Sequence, residues 1–443
     1  MEFWIKTAQL ILSLSILVIL HEFGHYITAR IFKCRVEKFF LFFNPWFSLF
    51  KKKIGDTEWG LGWIPLGGYV KISGMIDESM DKEQLKLPAQ PYEFRSKPAW
   101  QRLIIMLGGI MVNILLGIFI YSMLLFFVGE KYIPTQNLKY GIAADSLAKV
   151  AGFRDGDMIL AVEGKPVERF DKVCAEIIIN KAKNITIQRD GKTMNLQVPV
   201  SSLKSFIDNE DAVFLAVRIP FIVDSIDADS GAAKAGLQRH DHIIAINDSD
   251  VSYYHQARPL LDKMKNRKVP VVFIRNGKTD TLNVQVSKSG YLGVHALSED
   301  KIMVCDSIDY GILACFPAGA SKAWTTVVNY VKQFRLIFSS EVQGYKHIGG
   351  FISIGKAFSP TWDWIGFWNF TAFLSIVLAF MNLLPIPALD GGHVLFTLWE
   401  MITGRKPNEK FLEYAQVVGM VLLLGLMLYA NGNDLFHHLF HSK

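Results

Sequence analysis

The chain has 443 residues, 51% of them hydrophobic and 20% charged, with a net charge of +6. That apolar share exceeds the soluble norm and is unevenly spread, which points to membrane spans, while the charge is too mild for a nucleic-acid binder. The four cysteines, Cys34, Cys174, Cys305 and Cys315, form no C-x-x-C pair, which excludes a zinc knuckle or a dithiol redox motif. They read as unpaired thiols, with a Cys305–Cys315 bridge as the alternative.

The first apolar run, about Phe3 to Ala29 within a segment of residues 1–30, is long enough to span a bilayer, which takes about 20 apolar residues. Where a signal peptide would carry a small-residue cleavage site this run has His21-Glu22, so it reads as a retained span. The turn His21-Glu22-Phe23-Gly24-His25 is an H-E-x-x-H motif. On a helix, positions four apart share a face, so both imidazoles can reach one metal. Glu22 can then take a proton from water at that metal, the arrangement of a zinc hydrolase. Ionisable groups are costly inside a bilayer and rarely lie there idle.

Residues 31–102 follow as a cytoplasmic-side loop. Its start, Lys33 to Lys53, mixes lysines with Phe39, Phe40, Phe42, Phe43, Trp46 and Phe47, a composition suited to the membrane interface. Residues 58–71 read as a β-hairpin around a Pro-Leu-Gly-Gly turn. Bare strand edges cannot face lipid, so this hairpin must lie against protein or a wet cavity. Its edge, around Ile64, Gly67, Gly68 and Tyr69, either receives an extended peptide or is an ordinary surface hairpin. Residues 77–99 read as a charged loop. A second, uncharged span covers 103–128.

Beyond it lies an internal repeat. Ala151-Gly152 and Ala235-Gly236 are 84 residues apart, as are Asp157 and Asp241, and each copy ends in a hairpin turn, Arg189-Asp190-Gly191 and Arg275-Asn276-Gly277. Two small β-rich domains, 129–219 and 220–308, are expected. His240 stands in the second copy where the first has Gly156, so a different turn is expected there. The pattern A-G-[hydrophobic]-x-x-G-D-x-I resembles PDZ domains of the bacterial protease type, which bind peptide ends by strand addition or serve here as a steric filter. In the segment 309–363, a stripe of Trp324, Val327, Val328, Val331, Phe334 and Phe338 predicts an amphipathic helix over 317–340. It would rest on the membrane interface or pack on the repeat domains.

A third span covers 364–390 and ends in Asn382-Leu383-Leu384-Pro385-Ile386-Pro387-Ala388-Leu389-Asp390-Gly391. Catalytic zinc takes three protein ligands and keeps one open position. Asp390 is the nearest carboxylate by topology to complete His21 and His25; its alternative is to cap the following helix. His393 is a supporting partner or an alternative ligand. Asn382 either holds a substrate backbone or joins two spans. A cytoplasmic loop, 391–413, and a fourth span, 414–433, complete the chain. Residues 26–102 carry 13 Lys or Arg, and the last loop carries Arg405, Lys406 and Lys410. Positive loops stay inside, so both termini and the repeats are expected outside the cytoplasm, with the metal turn toward the cytoplasmic side.

H-E-x-x-H in the first span and N-x-x-P-x-P-x-L-D-G in the third together resemble the site-2 protease family of intramembrane metalloproteases. Four spans with two outward PDZ-like domains look like its regulator of sigma-E protease branch. The resemblance implies a multi-pass α-helical protein of a bacterial inner membrane, with a membrane-associated β-hairpin and two tandem PDZ-like α+β domains outside. It implies Zn2+ on His21, His25 and Asp390, with Glu22 as catalytic base. Asn382 and the hairpin at Ile64, Gly67, Gly68 and Tyr69 would hold substrate. Expected partners are the lipid bilayer, single-span membrane proteins such as an anti-sigma factor or remnant signal peptides, and peptide ends at the PDZ-like domains; nucleic acid is not expected. One departure is Phe351, where the family has proline after the glycine. A non-enzymatic PDZ scaffold and a metal transporter are the rival readings.

Overall fold

The computed structural model describes residues 2–65, 67–75, 88–199, 202, 213–337, 345 and 348–440. Two compact units emerge, one of residues 1–129, 309–337 and 345–443, the other built on residues 130–308.

Helix α1 (Glu2–Ile31) buries Gln9, Ser13, Leu17, His21, Gly24, His25 and Ala29, a stripe recurring every three to four residues. Strands β1 (Val36–Leu41), β2 (Phe50–Ile54), β3 (Thr57–Leu61) and β4 (Tyr69–Ile72) form a sheet in the order β2-β3-β1-β4. The expected hairpin over 58–71 is corrected here. Its two strands, β3 and β4, do not pair, because β1 enters between them, parallel to β3 and antiparallel to β4. The true hairpin is β2–β3, turning at Gly55, whose φ is +61°. The Lys33–Lys53 stretch thus supplies the central strand. Phe39 and Phe40 point to opposite faces and both are buried, Phe39 against Trp59 and Phe40 on Tyr69. Burial on both faces erases the period-two alternation that marks a strand in sequence. Leu66 and residues 76–87 of the charged loop lie outside the described residues.

Helix α2 (Ala99–Val128) begins four residues before the expected span, on Pro98 as N-cap, and stops at Gly129, φ +70°. Its glycines set the helix crossing. A Cβ on Gly24 would fall on the backbone of Gly108, and one on Gly108 would fall on the Gly24 carbonyl. Such mutual contact of backbones is what small residues allow between apolar helices.

The second unit begins with β5 (Glu130–Tyr132) and contains the two repeats. The first comprises β6 (Ile142–Ala144), α3 (Ser146–Val150), β7 (Met158–Val162), β8 (Lys165–Pro166), α4 (Phe170–Ile179), β9 (Asn184–Arg189), β10 (Lys192–Gln197) and β11 (Leu215–Val217). The second comprises β12 (Val223–Ile226), α5 (Gly231–Ala235), β13 (His242–Ile246), β14 (Ser249–Asp250), α6 (Tyr254–Asp262), β15 (Lys268–Arg275), β16 (Lys278–Gln285) and β17 (Val294–Ala296). After these come α7 (Glu299–Ile302) and β18 (Asp306–Ile308), which pairs with β5. Sheets β10-β9-β7-β8 and β14-β13-β15-β16 have one topology, each beside a two-stranded ladder, β6–β11 or β12–β17. In both copies the repeated Asp is buried and ion-paired with the Arg of the hairpin turn. Asp157 accepts from Arg189 at 2.7 and 2.8 Å, and Asp241 from Arg275 at 2.7 and 2.6 Å. The turn at His240 does not differ as expected: its φ of +69° keeps the left-handed conformation of Gly156, φ +94°.

Back in the first unit, α8 (Ile312–Ile337) starts earlier than predicted. Only part of its stripe packs, and on helices the sequence did not name: Val327 lies against Ile120 and Tyr121 of α2 and Phe334 edge-on to Phe380, while Trp324 and Val331 are exposed and residues 338–340 lie outside the described residues. Helix α9 (Phe351–Lys356) follows. Its first N–H, at Phe351, donates to Asn431 Oδ1 at 3.2 Å, a bond proline could not make. Helix α10 (Trp364–Leu383) ends seven residues before the expected limit of the third span, because Pro385 forces Leu384 to extended backbone, φ −61° and ψ +141°. The expected loop 391–413 is corrected in turn: most of it is helix α11 (Asp390–Thr403), tied to α2 by Arg102 Nη2 donating to Glu400 Oε1 at 2.5 Å. Last comes α12 (Glu409–Phe440). Among the described residues, α1, α2, α10 and α12 are long and apolar enough to cross a membrane. All four cysteines are free.

Candidate metal centre

Three helices meet at His21, His25 and Asp390. The imidazoles come from adjacent turns of α1. The carboxylate comes from the first residue of α11, where a negative charge also suits the helix dipole. Asp390 is not the cap of that helix, a place taken by Leu389. Room for the two rings comes from α2, where a Cβ on Gly109 would fall on both imidazoles. Asp390 Oδ2 lies 3.2 Å from His21 Nε2 and 3.2 Å from His25 Nε2, and the two Nε2 atoms are 3.4 Å apart. Tetrahedral zinc with bonds of about 2.0–2.1 Å holds its ligand atoms about 3.3–3.4 Å from one another. The triangle therefore has the dimensions of three ligands around one ion.

The remaining ring nitrogens explain why Nε2 faces inward on both residues. His25 Nδ1 donates to the Ile105 carbonyl at 2.9 Å, which leaves Nε2 with its lone pair free. His21 Nδ1 lies 3.3 Å from the Asn113 amide nitrogen, while Asn113 Oδ1, fully buried, has no partner. With the amide turned over, Oδ1 accepts from Nδ1–H, and His21 Nε2 is again the unprotonated nitrogen. Sequence reasoning missed Asn113, although a lone amide in an apolar span was the signal used for Asn382.

Glu22 faces the same cavity, of about 400 Å³, which Val70 of β4 also lines. Asn382 sits on the last turn of α10, with Nδ2 3.2 Å from His21 Nε2. Of the hairpin residues singled out, Gly68 and Tyr69 line the cavity, and Tyr69 OH donates to Asn44 Oδ1 at 3.0 Å. Ile64 and Gly67 do not line it. Ile64 bridges Phe43, and Gly67 packs on the Phe43 ring. His393 lines the cavity one turn beyond Asp390, outside the three-atom cluster. Lys38, Lys71 and Gln416 also border it.

Two histidines and a carboxylate around one point, beside a carboxylate able to act as base, define a metal-dependent hydrolase set among helices of bilayer length. Residues 9–426 match the model of peptidase family M50. The regulator of sigma-E protease RseP of Escherichia coli K12 is 29% identical over 450 residues, covering 96% of this chain and 97% of that protein. RseP of Salmonella typhimurium is 28% identical over 459 residues, with coverage of 96% and 97%. A Neisseria meningitidis protein named as a candidate zinc metalloprotease is 27% identical over 449 residues, again covering 96% and 97%. The chain belongs to peptidase family M50, the site-2 proteases, and is a zinc metalloendopeptidase of the membrane.

Proposed function

We propose that His21, His25 and Asp390 hold the zinc and that Glu22 is the catalytic base of an endopeptidase acting on transmembrane segments of single-span proteins. The 3.2–3.4 Å triangle of two imidazoles and one carboxylate carries this reading. Bound zinc supplies Lewis acidity toward the scissile carbonyl and toward water. Glu22 takes the proton of the attacking water and returns it to the leaving amine nitrogen. The Asn382 amide, beside the cluster, donates to a backbone carbonyl of the substrate.

A transmembrane helix hides its amides in its own hydrogen bonds, so it must unwind before cleavage. Strand β4 lies at the end of its sheet, and its Val70 lines the cavity together with Glu22. An unwound segment pairing alongside β4 would run past Glu22 and into the cavity, in the manner of strand addition. The repeats are PDZ-like domains that either take a peptide end or bar bulky ectodomains. The basic loops favour a cytoplasmic-side zinc site with both termini outside. The relatives' names point to an anti-sigma factor as one substrate.

Incubating the purified full chain with a panel of tagged single-pass helices, with and without a chelator, tests this. Cleavage within the helices that stops on chelation and returns with zinc is expected. Cleavage insensitive to chelation would overturn it.

A further inference from the structure

The turn that presents Asp390 does not hold itself in place. Ala388, two residues before the carboxylate, has φ +80°, a left-handed conformation disfavoured for any residue with a Cβ. Its N–H donates at 3.2 Å to Gln416 Oε1, and Gln416 is a buried residue of α12. One turn further along the same helix, Gly419 lies flush against Pro387: a Cβ there would fall on the Pro387 carbonyl and Cα. Among the described residues from 411 to 436, only Gln416, Gly419, Ala430 and Asp434 of α12 are buried. Two of those four touch the Pro387–Ala388 turn. Strain of this kind persists only where the surroundings hold it.

We infer that Gln416 and Gly419 are positioning residues for the metal ligand Asp390, so that α12, which contributes no ligand, sets the affinity of the site. This rests on the zinc reading above. Gln416 fixes the one backbone N–H that the left-handed turn aims outward, and Gly419 fixes the depth to which the turn can approach α12. Together they determine where the first residue of α11 starts and hence where its carboxylate points. No motif marks these two residues, an amide and a glycine three apart in an apolar helix.

The test is zinc affinity of the full chain in detergent, by chelator competition, together with the visible spectrum of the cobalt-substituted protein. Gln416→Leu keeps the size of the side chain and removes the acceptor; Gly419→Ala adds the obstructing methyl. Each is expected to weaken zinc about 10–100-fold, the usual cost of losing a group that orients a ligand. Each should also shift the cobalt bands away from the wild-type coordination. Gly425→Ala, on the same helix with open space around it, is expected to leave both unchanged. Ala388→Gly, which relieves the left-handed strain, is expected to restore part of the affinity lost in Gln416→Leu. A folded Gln416→Leu and a folded Gly419→Ala that bind zinc as wild type, with unshifted cobalt bands, would overturn the inference while leaving the zinc reading intact. A wild-type chain that binds no zinc would overturn both.

Discussion

Asp390 and Glu22 are both carboxylates on one cavity, yet the geometry gives them different work. Asp390 faces two imidazole nitrogens at 3.2 Å, while Glu22 stands beside them on the cavity wall, outside the three-atom cluster. Glu22→Gln is therefore expected to keep stoichiometric zinc and lose cleavage by at least about 100-fold, the scale of a lost general base. Metal analysis paired with the single-pass cleavage assay checks it. Asp390→Ala should lose both zinc and activity, and full zinc occupancy in that variant would remove Asp390 from the ligand set. The motif residues were legible because spacing four on a helix is a geometric statement in itself. Asn113 and Gln416 were not, because what they do depends on which atoms of other helices they meet.

At the scale of elements, the crossing of α1 and α2 is a tight constraint. Replacing Gly24 by alanine would gain up to about 1 kcal/mol of helix propensity. The added methyl would meet the backbone of Gly108, which cannot turn aside. Overpacking of this sort costs about 1–3 kcal/mol or more, so the steric loss prevails. Gly24→Ala is expected to lower the melting temperature in detergent and to spread the two histidines, weakening zinc as well. The four long helices were readable from hydropathy, and the repeats from their period. The order of the small sheet was not. Strand β1 looked like interfacial sequence because both its faces are covered, and no local rule states that β1 will separate β3 from β4. Likewise the end of α10 was set by Pro385, but the helical character of Asp390–Thr403 was masked by expecting a loop after the break.

The molecule as a whole joins a helical unit to a unit of two repeats, and the contact between the repeats is sensitive to acid. Arg218, in the short link between them, lies over the Tyr253 ring at 3.6 Å. Beside it His255 Nε2 is 3.3 Å from Asp155 Oδ1, close enough for an ion pair but not aligned as a hydrogen bond. Burial holds the His255 pKa below its ordinary 6.5, with Arg218 and Lys149 acting in the same direction and Asp155 opposing. The unfolded chain then binds this proton more readily than the folded one, so stability declines as pH drops below about 6.5. Burial alone would raise Asp155, but Lys149, the Ala144 N–H and His255 together hold it below its ordinary value. Its contribution is present at neutral pH and lost only in stronger acid. Thermal unfolding of the repeat unit within the full chain is expected to move to lower temperature between about pH 7.5 and 5.5. His255→Gln should flatten that slope; an unchanged slope would rule out His255 as its source.

Strand β2 forms the border of its sheet opposite β4. Every residue from Phe50 to Ile54 is exposed, with Lys51 and Lys53 on one face of the strand and Lys52 on the other. Lysines on a bordering strand discourage another strand from pairing there, a familiar guard against unwanted association. The four-stranded sheet can therefore accrete a newcomer on one flank alone, and that flank is the one beside Glu22. Charge on the far border thus acts as a valve for the near one: a loose polypeptide that reaches this sheet is left with a single berth.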